Sequence, residues 1–214
     1  MKAILPFFAL IICASWTHAQ RCKKTKGNGN VVTAERKVGN YEGITEGVFY
    51  EVTLVEGKEG SITMTTEDNM LEYTDPELGV STLTIKSKDH TQLKRFLVEK
   101  VSIAIPVDKI NAIRLPGSGK VSSSLTLEAS NFKVHTSRSR NAELKLKAKR
   151  IGVISSGSST ITLDGSAESL DITASGSSNL RALELILNTA EIRPSGSSNI
   201  RIAVNSLIDS RCLG

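Results

Sequence analysis

The sequence is poor in aromatic residues, tryptophan and cysteine. Of its 214 residues only 4% are aromatic, and it holds one tryptophan, three cysteines and three histidines. The cysteines are not at the short spacings of a zinc site, so no metal site is predicted. Basic residues are not interleaved with aromatic ones, and nucleic acid is therefore not an expected partner. With 23% charged and 39% hydrophobic residues, the chain has the composition of one folded domain or two small ones.

The only long apolar run lies at the N-terminus. It extends from Ile4 to Cys13 and is too short to cross a bilayer. Thr17-His18-Ala19 fits the cleavage pattern of a secretory signal peptide, so residues 1–19 are predicted to be removed. A lipoprotein signal is the alternative, although neither Cys13 nor Cys22 follows the small residue that lipoprotein processing requires. The sequence therefore predicts an exported protein without a transmembrane span.

Two cysteines remain after this cleavage, Cys22 and Cys212, at opposite ends of the mature chain. Export permits a disulfide between them, but a bridge requires the two termini to meet. The sequence leaves open whether these thiols pair with each other, pair between chains or stay free. The net charge of +5 is a mild excess, clustered in part within residues 21–26, which are interpreted as a solvated arm.

An internal repeat of about 20 residues is the strongest signal in the sequence. A five-residue motif recurs with serine in second place and, in most copies, glycine in first place. The copies are Gly117–Val121, Arg138–Ala142, Gly157–Ile161, Gly176–Leu180 and Gly196–Ile200. Apolar residues recur four positions before each copy: Ile113, Val134, Val153, Ile172 and Ile192. Each unit thus predicts short strands with every second side chain inward, joined at a Gly/Ser corner.

A unit of this length cannot bury its apolar side alone. Stacking the units one strand spacing apart, about 4.8 Å, buries a continuous interior. The predicted fold is therefore all-β, a single-stranded β-helix (β-solenoid) of roughly 20-residue coils with Gly/Ser corners. A β-sandwich is the competing fold, but it does not require matching corners in every unit. The second-place serines are expected to stack into a hydrogen-bonded ladder, and Arg138 is expected to loosen its corner or change the turn.

The half of the chain before the repeats is less regular. We divide the sequence into a signal peptide (1–19), an N-terminal β region (20–100) and the solenoid repeats (101–214). One continuous solenoid over 20–214 is equally consistent with the pattern.

These features together resemble the putative autotransporter adhesin family with a head GIN-type domain. The matching segments are Gly27–Val32, Tyr41–Ile44, Val48–Gly57, Asn69–Leu71, Leu83–Lys86 and the Ser-Gly-Ser corners. The resemblance implies an exported β-helical protein of a Gram-negative bacterium with an adhesive role, located in the periplasm, on the outer membrane or cell surface, or secreted. The sequence departs from the family pattern at Ser137–Arg140. The resemblance brings no catalytic residues, and no cofactor is expected.

A non-enzymatic binding or adhesion module is the preferred interpretation, with a surface glycan or an envelope or host protein as partner. The candidate contact residues are exposed polar positions of the repeats: Ser158, Ser177, Ser197, Asn179, Asn199, Arg181 and Arg201. The one aromatic residue of the repeats, Phe132, is predicted to point inward, so aromatic platforms for sugars are missing there. Tyr41, Tyr50 and Tyr73 are interpreted as core residues.

Two alternatives remain. A polysaccharide-active β-helix enzyme needs paired carboxylates, for which Asp171 and Glu191 on adjacent coils are the best candidates. An exposed column of charges is the preferred interpretation of that pair, and His90 and His135 are expected on the surface. A structural assembly protein of the envelope is the second alternative, because the ends of a solenoid expose strand edges and no terminal cap is recognisable. Such ends also allow homo-oligomers.

Overall fold

A computed structural model describes residues 27–47, 49–88 and 101–210. The predicted signal peptide, Cys22, His90 and Cys212 lie outside these residues, so the expectations for them stay predictions. The strands are β1 (Val31–Gly39), β2 (Gly43–Glu46), β3 (Glu51–Glu56), β4 (Gly60–Glu67), β5 (Thr74–Leu78), β6 (Thr82–Ser87), β7 (Ser102–Val107), β8 (Ala112–Leu115), β9 (Gly119–Thr136), β10 (Arg140–Ser155), β11 (Thr160–Ala174), β12 (Asn179–Ala182), β13 (Leu185–Pro194), β14 (Asn199–Ile202) and β15 (Ser206–Ser210). A short 3₁₀-helix of two turns, Asp68–Tyr73, follows β4.

The repeats form a β-solenoid, as the sequence predicts. The long strands β9, β10 and β11 lie side by side in parallel, with Asn141 of β10 opposite Thr160 of β11 and Ser155 opposite Ala174. Strands β12 to β15 continue the same parallel stack. Two rows of strands result. Row A comprises the strand segments that follow each corner: the first residues of β9, β10 and β11, together with β12 and β14. Row B comprises the segments that precede each corner: β8, the last residues of β9, β10 and β11, and the end of β13.

Inward positions line up from coil to coil. Phe132, Ile151, Leu170 and Ala190 stand opposite one another in row B, and all four are buried. This confirms the inward orientation predicted for Phe132. Each large apolar side chain removed from water in this way contributes about 1.5–3 kcal/mol to folding. The stacking of coils therefore supplies the core that a single coil lacks.

The N-terminal coils do not stack in chain order. Strand β2 pairs in parallel with both β6 and β8, and β3 pairs in parallel with both β7 and β9. The coil formed by β2 and β3 is thus inserted between the β6–β7 coil and the β8–β9 coil. The described strands on the two sides of residue 100 consequently belong to one sheet.

Antiparallel strands close the N-terminal end of the stack. Strand β4 pairs with β7, β1 pairs with β4, and β5 pairs with β6, all in antiparallel fashion. The sequence showed no recognisable cap, because this one breaks the repeat pattern. The outer strand β1 carries the exposed charged residues Glu35, Arg36 and Lys37, which discourage further strand pairing at this edge.

The segment before β1 is fixed to the 3₁₀-helix by two asparagines. The Asn28 side chain donates to Asp68 Oδ1 at 2.5 Å, and the Asn30 side chain donates to Asp68 Oδ2 at 2.9 Å. Hydrogen bonds from Asn30 and then Asn28 hold the pKa of Asp68 below its ordinary value of 3.8. The folded state therefore favours the carboxylate. The resulting stabilisation is present above the unfolded-state pKa and is lost as the pH falls through the folded-state pKa.

We expect NMR titration to place the pKa of Asp68 below 3.8 in the intact protein. Asn30→Ala should raise this pKa towards the ordinary value, because it removes the strongest stabilising contact of the carboxylate. Asn40→Ala, an exposed asparagine that does not contact Asp68, is the matched control and should change nothing. A wild-type pKa at or above 3.8 would contradict the prediction.

Candidate functional site

The four later corners share one left-handed turn. The first-place residue has a φ of 64° at Arg138, 80° at Gly157, 76° at Gly176 and 68° at Gly196. The expectation that Arg138 loosens its corner or changes the turn is therefore wrong, since a non-glycine residue adopts the glycine conformation there. In the first copy the positive φ, 132°, falls instead on Gly119 in third place.

Third-place serines form a buried hydrogen-bonded ladder inside the corners. Ser159 and Ser178 point into the solenoid and are 1% and 2% exposed. Ser155 Oγ lies 2.5 Å from Ser159 Oγ and 2.8 Å from Ser178 Oγ, and Thr136 Oγ1 lies 3.0 Å from Ser159 Oγ. Because every member has a partner, the ladder carries polar groups through the core without an unsatisfied hydroxyl.

The second-place serines, for which the ladder was predicted, point outward instead. Ser158, Ser177 and Ser197 are exposed. Their main chain joins the coils: the Ser158 and Ser177 N–H groups donate to the carbonyl oxygens of Arg138 and Gly157, at 2.9 and 2.8 Å. The hydroxyls of these serines therefore form an outer column beside the buried one.

Arg140 replaces serine in the buried column of the second corner. It is fully buried and forms an ion pair with Glu46 of β2, which is also fully buried. Arg140 Nη2 also donates to the Glu46 carbonyl oxygen at 3.3 Å. The side chain passes Gly119, where an added Cβ would lie 2.6 Å from Arg140 Nη1. Burial lowers the pKa of the Arg140 guanidinium to about 10, which leaves it charged at neutral pH.

This ion pair accounts for Arg140, one of the residues at which Ser137–Arg140 departs from the family pattern, and sequence reasoning missed it. The available signal was an arginine in a column that otherwise holds glycine or serine. Its partner, 94 positions earlier in the chain, has no local signature.

The candidate contact residues lie on three neighbouring coils, the serines in the corners and the asparagines and arginines at the start of row A. Asn179 stands opposite Asn199, and Arg181 stands opposite Arg201 in parallel register. Both arginines are exposed, and within the described residues neither forms an ion pair. Like charges directly opposite each other on neighbouring strands repel. Asn199 is exposed, whereas Asn179, which the sequence placed on the exposed surface, is half-buried with its Oδ1 shielded from solvent. This part of row A therefore offers mainly the two arginines as uncompensated hydrogen-bond donors to solvent.

The two predicted carboxylates do align. Asp171 stands opposite Glu191 in row B, and the coils before them place Gly152 and Lys133 at the same position. Each carboxylate has an arginine beside it, however: Arg150 Nε lies 3.9 Å from Asp171 Oδ2, and Arg193 pairs with Glu191. The arrangement is that of surface ion pairs.

A groove crosses the outward side of row B, and we call it the row B groove. It encloses about 390 Å³ and is lined by Ala112, Arg114, Lys133, His135, Gly152 and Ile154, with Asp171 and Thr173 at one end. A smaller depression of about 230 Å³ adjoins it and shares Arg114 and His135. His135 is exposed, as predicted. Sequence reasoning did not assemble this groove, because its residues come from different coils and share no motif.

A second and more open groove of about 610 Å³ lies where the long strands bend. Its floor is a column of alanines, Ala129, Ala148 and Ala167. Of the charged residues in its walls, Lys147 Nζ is paired with Glu128 at 3.0 Å. The charge in this part of the groove is therefore largely compensated.

Tyrosines do not form an exposed platform in the described residues. Tyr41 and Tyr50 are buried, and Tyr73 packs partly buried against the core, which confirms their interpretation as core residues. Burial raises the pKa of Tyr50 to about 12, against a smaller lowering effect of its hydrogen bond with Thr74.

Among the described residues, histidines, cysteines and carboxylates do not come together in a group of three that could hold a metal ion. In the same part of the chain, no helix has the length and apolar character needed to cross a membrane.

Comparison with solved structures shows the same fold in bacterial proteins. A putative adhesin from Bacteroides fragilis is similar with a TM-score of 0.75 at 20% identity, over 82% of this chain and 81% of that one. A putative lipid binding protein from Parabacteroides distasonis gives a TM-score of 0.61 at 19% identity, over 83% and 84%. A putative adhesin from Parabacteroides merdae gives 0.57 at 14% identity, over 85% and 95%.

No curated protein matches the sequence. The sequence profile described as "Putative auto-transporter adhesin, head GIN domain" matches residues 40–214. The match covers most of the chain and agrees with the solenoid, its corners and the solved structures of the same fold. The chain therefore belongs to the head GIN domain family of putative autotransporter adhesins.

Proposed function

We propose that this protein is an exported, non-enzymatic binding or adhesion protein of the bacterial envelope. The observation that carries the proposal is the array on row A, where Asn179 and Arg181 recur one coil later as Asn199 and Arg201. The family name and the solved structures called putative adhesins support a role of this kind. The partner we propose is a surface glycan, or a protein of the envelope or of a host.

Repetition is what suits this surface to adhesion. Identical donors recur at the spacing of one coil, about 4.8 Å, so a ligand with its own repeat contacts several coils at once. Several weak contacts held in fixed geometry bind far more tightly than any one of them. The outer serines Ser177 and Ser197 extend the array by two further hydroxyls.

A binding screen of residues 20–214 against glycans and envelope fractions tests the proposal, with the polymer length measured in the same samples. We expect saturable binding without shortening of any polymer. Arg181→Ala with Arg201→Ala should weaken it about 10-fold or more, since each removes a charge-assisted hydrogen bond. Arg36→Ala with Lys37→Ala removes the same charge from strand β1 and is the matched control, expected to bind like the wild type.

Two outcomes would contradict this proposal. If a polymer is shortened, and Asp171→Asn or Glu191→Gln abolishes this shortening, the protein is a polysaccharide-active enzyme. Absence of binding to every glycan and envelope fraction would favour a structural assembly role.

A further inference from the structure

We propose that the row B groove is a binding site for an acidic polysaccharide, a sugar chain that carries carboxylate or sulfate groups. The groove lies on the other row of strands from Arg181 and Arg201. The inference therefore does not depend on the row A array.

Three uncompensated basic side chains line the groove. Arg114 stands directly opposite His135, and Lys133 stands opposite Ala112 on the same two coils. All three basic side chains are exposed, and among the described residues none has an ion-pair or side-chain hydrogen-bond partner. Asp171 is the one carboxylate of the lining and lies at the far end, so positive charge prevails over the rest of the groove. A concave site in which one sign of charge prevails focuses its field and concentrates ligands of the opposite sign.

The shape of the groove depends on missing side chains. Gly152 lies between Lys133 and Asp171 in the column, and a Cβ added there would meet nothing within 4 Å. Ala112 is the only other small residue of the lining. The adjoining depression shares Arg114 and His135, so the concave surface continues along the stack across several coils. A chain lying along the solenoid axis fits this path.

The remaining lining residues favour a sugar over other polyanions. Ile154 is 53% exposed and offers an apolar surface to a sugar ring. Asp171 and Thr173 at the far end provide a carboxylate and a hydroxyl that can accept hydrogen bonds from sugar hydroxyls. The lining contains no phenylalanine, tyrosine or tryptophan, the large rings on which nucleic-acid bases most often stack. Peptides that extend a sheet bind at its edge, whereas this groove lies on a face.

Calorimetry with defined polymers tests the proposal on residues 20–214. The probes are polygalacturonate, its fully methyl-esterified form and dextran sulfate. We expect binding of polygalacturonate or dextran sulfate, which distinguishes carboxylate from sulfate recognition, and none of the esterified polymer. Arg114→Ser with Lys133→Ser should weaken binding about 10-fold or more, because two charge-assisted contacts are lost.

Two further variants separate a built site from a general attraction of charges. Gly152→Gln fills the groove without changing the charge, and it should also weaken binding about 10-fold at an unchanged melting temperature. Arg36→Ser with Lys37→Ser removes the same charge from strand β1, outside both proposed sites, and should bind these probes within twofold of the wild type. Equal weakening by this β1 variant, full binding by Gly152→Gln, binding of the ester or no binding of any probe would each overturn the proposal.

Discussion

Glu46→Ala is expected to lower the free energy of unfolding by about 3–5 kcal/mol, and Arg140→Met by a similar amount. Each substitution leaves the other charge buried without its partner, in a part of the core from which water is excluded. Urea titration followed by circular dichroism measures the loss; the one tryptophan lies in the predicted signal peptide, so its fluorescence would not report on the mature chain.

The double variant Glu46→Leu with Arg140→Met separates the cost of a broken pair from the value of the pair. On one side Glu46 stands opposite Ile85 of β6, and on the other the register of β2 with β8 brings it beside Leu115. Both neighbours are buried and apolar, so leucine suits the site. Replacing both charges with apolar groups of similar size is often neutral or stabilising. We expect the double variant to recover to within about 1–2 kcal/mol of the wild type.

The exposed pair Lys147–Glu128 is the matched control for this cycle. Both side chains are more than 60% exposed, and such surface pairs contribute about 0–1 kcal/mol. Lys147→Ala should therefore have little effect. A loss of less than about 1 kcal/mol for both Glu46→Ala and Arg140→Met would show that the buried pair does not hold the two coils together.

The regular half of the solenoid was predictable because its constraints are local and repeated. Each coil needs a corner and inward apolar side chains, and these requirements recur in the sequence at the coil length, as at Phe132, Ile151 and Leu170. The order of the N-terminal coils was not predictable. It is decided by which strand β2 and β3 pair with, and strand pairing between distant segments leaves no local pattern.

The candidate site was predictable only in part, for a related reason. The exposure of Arg181 and Arg201 followed from the alternation of inward and outward side chains along each strand. The row B groove did not follow from any pattern, because outward positions are under no packing constraint. The ladder was assigned to the wrong serines because the left-handed residue at each corner reverses which of the following side chains point inward and which point outward. Ser159 therefore points inward and Ser158 outward.

Gly165→Ala is expected to destabilise the protein by about 3 kcal/mol, through strain and a clash that act together. Gly165 has a φ of 111°, where side chains other than glycine are rarely found. An added Cβ would also lie against the carbonyl oxygen of Leu146, its partner in the neighbouring coil, and 3.1 Å from the carbonyl carbon. The coils cannot separate locally without breaking the parallel hydrogen bonds on both sides.

Gly60→Ala is the matched control, because Gly60 has a similar φ of 132° but open space around its Cβ position. Its cost is backbone strain alone, about 1–2 kcal/mol. The reverse change, Arg138→Gly, relieves the same kind of strain at a φ of 64° and should stabilise the protein by about 1 kcal/mol. Urea midpoints measured for the three variants separate the cost of backbone strain from the cost of the clash between coils. Equal losses for Gly165→Ala and Gly60→Ala would mean that the close approach of neighbouring coils carries no cost of its own. The larger loss expected for Gly165→Ala would show that main-chain contact fixes the spacing of the coils.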